Sequence, residues 1–294
     1  MKNVLYTCPF VPPEWIAAHG LEPMRITPAP PRQGMSAGVC PFAAAFIHTA
    51  AATPASGIIA TTVCDQMRRS VEIIESQCDT PVFLMNVPAT WRSDSAMKLY
   101  RDELARLGRF LAALGGTEPA PERLSEMMLH YDSLRAKIRT AGENPKPKGV
   151  PLILAGGPLR STDSEIFDLI EQAGGTVVLD ATASGEMTLP ARFDQERLAG
   201  DPQGELAGAY FARIPHAMRR PNNQLHEYLN REIIARGARG LIYRRYQWCD
   251  TWHAELGRLK DSLPAPVLDL VAGDDESDRA YMLTRIQAFV EMLK

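Results

Sequence analysis

Five cysteines offer most of the chemistry in this 294-residue chain: Cys8, Cys40, Cys64, Cys78 and Cys249. Cys64 ends the apolar run GIIATTV and, with Asp65, opens an amphipathic helical pattern carrying Met67, Val71 and Ile74 on one face. Cys249 repeats this arrangement, following GLIYRRY and preceding Asp250. In both places Pro-Val resumes a strand pattern 17 residues after the cysteine, at Pro81 after Cys64 and Pro266 after Cys249. Cys40 stands before Pro41, a residue suited to a first helical turn, and before the apolar run FAAAFIHTAAA. Three thiols therefore each open a helix, and two of them directly follow strands. Helix amides favour a sulfur anion, and open α/β sheets place ligands at the carboxyl ends of their strands.

Three convergent thiolates suit a soft metal, most naturally an iron–sulfur cluster with one iron left open for chemistry. The competing reading of each cysteine is a small buried hydrophobe. The duplicated Cys-Asp context favours the ligand reading more for Cys64 and Cys249 than for Cys40. Cys78, at the tail of the amphipathic helix, reads as structural. Cys8, after the first strand, is a further candidate for the same cleft. An odd cysteine count without a CxxC pair gives no disulfide framework and no zinc ribbon.

Other motifs are less specific. Gly156-Gly157 follows a strand, but GGPLRS lacks GxGxxG spacing and a Walker lysine, so a turn explains it. The six histidines form no HExxH or HxH set, and His253 reads as part of a solvated helix face. Arg68-Arg69 and Arg244-Arg245 flank the two Cys-Asp units, either as counter-charges or as surface arginines. Trp248 and Trp252 bracket Cys249 and either screen it from water or pack. No acid or base stands out as catalytic.

Strand patterns alternate with helical ones throughout, which predicts α/β architecture. Two Rossmann-like (flavodoxin-like) parallel-sheet domains face each other across a cleft, with a helical connecting segment. The expected strands are Asn3–Thr7, Leu21–Thr27, Gly57 up to the Cys64-Asp65 junction, Val82–Asn86, Pro151–Leu159, Thr176–Asp180 and Gly240–Tyr246. Gly34–Val39 leads into the Cys40 helix, and Ser161–Asp163 offers N-caps for the helix SEIFDLIEQAGG. Ser95 to about Thr140 is helical with a break at Thr117–Pro121, and its first helix carries Leu99, Leu104, Leu107, Leu111 and Leu114 at helical spacing. Asn144–Gly149 (NPKPKG) is a linker. Glu186–Phe211 reads as loop with a short helix. The last helix turns Met282, Ile286, Phe289, Val290 and Leu293 inward. The expected boundaries are 1–112 for the first domain, 113–146 for the connector and 147–294 for the second domain.

The net charge of −3, with scattered arginines, gives no electrostatic basis for nucleic-acid binding. The N-terminus lacks a signal-peptide core, and the most apolar stretch is interrupted by His48, Pro54 and Gly57. A cytoplasmic protein without membrane association is expected.

In their order along the chain, VPPEWIAAHGLEPMRI, GVCPF, TTVCDQMRR, PLILAGGPL with EQAGGTVVLD, YQWCD and TRIQAFVEML resemble the 2-hydroxyacyl-CoA dehydratase D-component family. That family includes ATP-dependent benzoyl-CoA reductase subunits. The resemblance implies paired α/β domains holding a [4Fe-4S] cluster through three cysteines, which match Cys40, Cys64 and Cys249. It further implies a homodimer or a heterodimer with a related subunit, and an ATP-hydrolysing activator iron–sulfur protein that delivers single low-potential electrons. The implied substrate is an acyl-CoA, dehydrated or reduced through a ketyl radical. Three roles stay open within the resemblance: a catalytic subunit, a double-cubane-type small-molecule reductase, and a non-catalytic electron relay. A metal-free small-molecule-binding module is the alternative outside it.

Overall fold

The computed structural model describes residues 2–31, 38–141, 147–273 and 277–294. Most of the expected Gly34–Val39 lead, and the first residues of the Asn144–Gly149 linker, lie outside the described residues. The chain runs β1 (Asn3–Tyr6), α1 (Pro13–Ala18), β2 (Glu22–Arg25), α2 (Pro41–Ala52), β3 (Gly57–Thr61), α3 (Asp65–Gln77), β4 (Val82–Met85), α4 (Asp94–Ala113) and α5 (Pro121–Ala141). It continues with β5 (Val150–Gly156), α6 (Glu165–Gln172), β6 (Gly175–Thr182), α7 (Gln195–Gly200), α8 (Pro202–Ala207) and α9 (Asn223–Ala235). The last elements are β7 (Gly240–Tyr246), α10 (Asp250–His253), α11 (Leu256–Ser262), β8 (Val267–Ala272) and α12 (Ser277–Leu293).

The strands form two four-stranded, all-parallel sheets of identical topology, β2-β1-β3-β4 and β6-β5-β7-β8. This is the expected α/β class with two Rossmann-like domains. Two compact units carry the sheets, and both are discontinuous in sequence. The first comprises Met1–Thr27, Phe46–Glu143 and Leu189–Ile214; the second comprises Pro28–Ala45, Asn144–Thr188 and Pro215–Lys294.

In the first unit β3 is buried along its whole length, as a parallel strand covered on both faces must be. Its register fixes Tyr6 opposite Ile59 on one side and Thr61 opposite Met85 on the other. Helix α4 starts at Ser93, whose Oγ accepts the Ala96 amide at 3.2 Å. It buries Tyr100, Leu104, Leu107 and Leu111 completely. Each such leucine contributes about 1.5–3 kcal/mol. Leu99, expected in the same stripe, is 51% exposed, because it precedes buried Tyr100 and falls on the outer face. The Glu186–Phe211 stretch, expected as loop with a short helix, contains α7, α8 and most of a π-helical turn at Gly208–Ala212. It is tied in by a buried network: Arg135 Nη1 donates to Glu14 Oε1 at 2.5 Å and the Tyr210 hydroxyl donates to Glu14 Oε2 at 2.8 Å.

In the second unit alternate residues of β5 point to opposite faces of the sheet. Leu152 and Leu154 join Ile242, Leu270, Ile286 and Val290 on one side. Ile153 and Ala155 join Leu225, Leu229, Leu241 and Tyr243 on the other. Helix α12 covers the first of these layers with Ile286, Phe289, Val290 and Leu293 buried and Met282 partly so, as its spacing predicts. Among the described residues no helix is long and apolar enough to cross a membrane.

Candidate functional site

The two Cys-Asp units occupy equivalent places. Cys64 follows β3 and Cys249 follows β7, each the third strand in its sheet's order, and each is the N-cap residue of the next helix. Cys64 belongs to the first unit, whereas Cys40 and Cys249 both belong to the second. None of the five cysteines is in a disulfide.

At Cys64 the Met67 amide donates to Sγ at 3.5 Å, which gives the thiol the role that serine or aspartate usually has at a helix start. The strand ends beside it are fastened: the Thr62 hydroxyl donates to Asn86 Oδ1 at 3.0 Å and accepts the Val87 amide at 2.9 Å. Arg68 pairs with Asp65 at 3.3 Å in solvent, so it is a surface arginine. Cys78 is the C-cap residue of α3, away from the helix start. Cys8 follows β1 and is buried.

In the second unit the Cys40 and Cys249 thiols are hydrogen-bonded to each other. That contact lowers Cys40 to about 7 from its ordinary 9.0, against burial, which raises it. The Phe42 and Ala43 amides at the start of α2 and the Arg160 guanidinium add to the lowering. Cys249 sits in a tight turn: its amide donates to the Tyr246 carbonyl at 3.2 Å, and Trp248 before it has a φ of 68°. Trp248 is exposed, whereas Trp252 is buried with its ring edge-on to His216 at 5.4 Å. The two tryptophans thus divide the alternatives, Trp252 packing under the turn and Trp248 facing solvent. His253 is exposed, as expected of a solvated face.

Beside the thiol pair lies a buried ionic group that the sequence did not disclose. Asp163 Oδ1 meets Arg244 Nη2 at 2.7 Å, and Asp163 Oδ2 accepts the Arg160 amide at 2.7 Å and Arg160 Nε at 3.2 Å. The Tyr246 hydroxyl also donates to Asp163. Burial pushes the Tyr246 phenol upward, so it stays protonated as a donor. Both guanidiniums lie over the Tyr246 ring, at 4.5 Å for Arg244 and 5.2 Å for Arg160. Sequence reading placed Ser161–Asp163 as helix caps and left Arg244 open between a counter-charge and a surface arginine. The available signal was the i, i+2 placement of Arg244 and Tyr246 on one face of an otherwise apolar strand. Gly156 is also more than a turn residue, since it pairs directly with Arg244 across β5 and β7.

Within either unit, among the described residues, no three His, Cys, Asp or Glu side chains gather as a metal-binding group. The donor chemistry nevertheless fits an iron–sulfur ligand set: thiols at helix starts, N–H groups directed at Cys40 and Cys64 sulfur, and a cation beside Cys40.

His216, behind Trp252, provides a test of this region. The Met218 amide donates to His216 Nδ1 at 3.2 Å, which requires that nitrogen to be unprotonated. Burial, with Arg219 adding to it, lowers the imidazole from 6.5 to about 3. Above pH 6.5 both folded and unfolded states are neutral there; below it only the unfolded state takes the proton. Stability therefore falls as pH drops from 6.5 towards 3, by about 1.4 kcal/mol per pH unit and roughly 3 kcal/mol between pH 7 and 4. His216→Asn keeps an acceptor and cannot titrate, so urea unfolding at pH 7, 5.5 and 4 should show that slope reduced. An unchanged slope would assign the acid loss to other groups.

The model of the 2-hydroxyglutaryl-CoA dehydratase D-component family matches residues 8–144 and 130–293. "Putative dehydratase subunit YjiM" of Escherichia coli (strain K12) is 20% identical over 293 aligned positions, covering 80% of this chain and 74% of that protein. Among solved structures, a Cd-bound periplasmic metal binding protein from Candidatus Liberibacter asiaticus is 10% identical, with all of both chains covered and a TM-score of 0.26. The laminin-binding adhesin Lmb of Streptococcus agalactiae is 11% identical with the same coverage and TM-score. Structural scores this low carry no argument about function.

Proposed function

This chain belongs to the 2-hydroxyglutaryl-CoA dehydratase D-component family, and from that premise we propose that it is the iron–sulfur subunit of an enzyme performing one-electron reductive chemistry on an acyl-CoA. Cys40, Cys64 and Cys249 would hold a [4Fe-4S] cluster. When bound, the cluster supplies a low-potential electron to the thioester of the substrate. The observation that carries the reading is the Cys40–Cys249 thiol contact at a helix start, with main-chain amides directed at Cys40 and the Arg160 charge favouring its thiolate.

The chain's own residues prepare for that role. The Met67 amide orients the Cys64 sulfur, and the Phe42 and Ala43 amides orient the Cys40 sulfur. Buried Trp252 closes the underside of the Cys249 turn to water. The family's D-component nature implies a partner subunit, and the proposal adds an ATP-hydrolysing iron–sulfur activator as electron donor.

Iron and acid-labile sulfide content after anaerobic reconstitution is the test. The wild-type chain is expected to be brown and to carry cluster iron. Cys64→Ala should lose the iron, and Cys78→Ala should retain it. A colourless, iron-free protein after reconstitution would sink the proposal. With the cluster loaded and reduced, a change in its EPR signal on adding acyl-CoA thioesters is expected of a catalytic subunit; an unchanged signal would favour electron relay.

A further inference from the structure

We propose that the first compact unit carries a small-molecule site of its own, between α1, α4 and the α7–α8 junction, that takes a free aromatic amino acid with a side-chain N–H or O–H donor, tryptophan or tyrosine. A cavity of about 620 Å³ opens there, within the range of small-molecule sites. Its lining comes from α1 (Trp15 and, at its end, His19), one face of α4 (Gly108, Arg109), α5 and its lead (Glu118, Leu124) and residues 200–203, all in the first unit. His19 stands just before β2, and its carbonyl accepts the Thr117 amide at 3.0 Å. The cavity therefore lies toward the amino ends of the parallel strands, whereas Cys64 follows the carboxyl end of β3. The inference does not rest on the cluster.

His19 gives the site its chemistry. It is 2% exposed, and its Nδ1 lies 2.7 Å from the Trp15 carbonyl oxygen. A carbonyl only accepts, so Nδ1 carries the proton. Burial lowers the imidazole from its ordinary 6.5, which keeps it neutral at pH 7. Nε2 is left as a bare acceptor, without a hydrogen-bond partner among the described residues. Gly108 keeps the wall beside it open: a Cβ there would stand 3.2 Å from Nε2 and 3.3 Å from Trp15 Cζ2. A buried acceptor among Trp15 and Leu124 calls for a ring that brings its own donor. Arg109 and Glu118, both exposed, offer opposite charges, and neither is in an ion pair among the described residues. Asp201, the remaining charged group of the lining, is taken by Arg101 at 3.3 Å and by the Gly204 amide at 2.8 Å. One free cation and one free anion match the carboxylate and the ammonium of an amino acid.

Calorimetric titration of the full chain tests this with two ligand pairs, L-tyrosine against L-phenylalanine and L-tryptophan against 1-methyl-L-tryptophan. At least one donor-bearing ligand is expected to saturate one site per chain, with its donor-free analogue at least about tenfold weaker because it leaves Nε2 unpaired. Arg109→Ala and Glu118→Ala, both surface changes, should each weaken binding about tenfold or more. His19→Asn retains a side-chain donor for the Trp15 carbonyl but has no Nε2, so it should lose the discrimination within each pair. No binding of tyrosine or tryptophan at millimolar ligand would overturn the proposal, as would equal affinities within both pairs or affinity unchanged in both surface variants. The ligand pairs on the wild-type chain decide the matter even where His19→Asn does not fold.

Discussion

Asp163→Ala is expected to destabilise the second unit by about 3–5 kcal/mol, the usual cost of leaving buried charge without its partner. The Asp163 carboxylate faces Arg244 at 2.7 Å and Arg160 at 3.2 Å, and it also accepts the Arg160 amide and the Tyr246 hydroxyl. Arg160 and Arg244 are only 6% and 2% exposed, so water cannot replace the carboxylate when it is removed. The Arg244 guanidinium would then lie over the Tyr246 ring without the carboxylate it pairs with. One nitrogen, Arg244 Nη1, is already buried without a hydrogen-bond partner, so the cluster has no spare capacity to rearrange. Asp163→Asn keeps the shape and one acceptor but not the charge, and its loss should fall between wild type and alanine. Urea unfolding at neutral pH measures both. An alanine variant within 1 kcal/mol of wild type would show that the guanidiniums find solvent or another partner.

That cluster marks the limit of what the sequence discloses. The sheets were legible because fully buried parallel strands read as short apolar runs, as GIIAT in β3 and PLILAG in β5 do. The helix starts at Cys64 and Cys249 were legible because a strand pattern changes period directly at each cysteine. Both turn out to cap the helix after the third strand of a matching sheet. The contact between Cys40 and Cys249 was reachable only as an expectation of convergence, since nothing local to either residue specifies it. Asp163 was misread for a related reason. A Ser-Thr-Asp run before a helix is a correct capping signal, but the partners that hold Asp163 include two residues of a strand far along the chain. Between Glu186 and Phe211 one unplaced short helix was expected where α7 and α8 both form, because six-residue helices are too short for a periodic signal. Their Asp194 and Asp201 caps were the available cue. The exposed Leu99 is a smaller error of phase on an otherwise correct helix.

Gly156→Ala should be as damaging, and it separates a packing role from the phosphate-loop role that a Gly-Gly pair after a strand suggests. Gly156 closes β5 opposite Arg244 of β7 with a φ of 134°, a conformation that side chains other than glycine's avoid. A methyl there would come within 1.8 Å of the Arg244 carbonyl oxygen and 2.8 Å of its carbon. Neither atom can yield, because that oxygen accepts the Gly157 amide at 3.1 Å and the Gly156 carbonyl accepts the Ala183 amide at 3.0 Å. Backbone strain and overpacking together should cost about 3–5 kcal/mol. Gly157 is the internal control: an alanine methyl there meets only Trp252 at 3.6 Å, an ordinary contact, and the cost should stay below about 1 kcal/mol. Equal tolerance at the two positions would mean the β5–β7 register is looser than the ladder implies. The effect should also couple to Asp163. Displacing the Arg244 backbone moves its guanidinium away from the carboxylate, so Gly156→Ala should already forfeit part of what Asp163→Ala removes. Combined, the two substitutions should cost less than the sum of the singles by more than about 0.5 kcal/mol, the mark of two residues acting through a shared third.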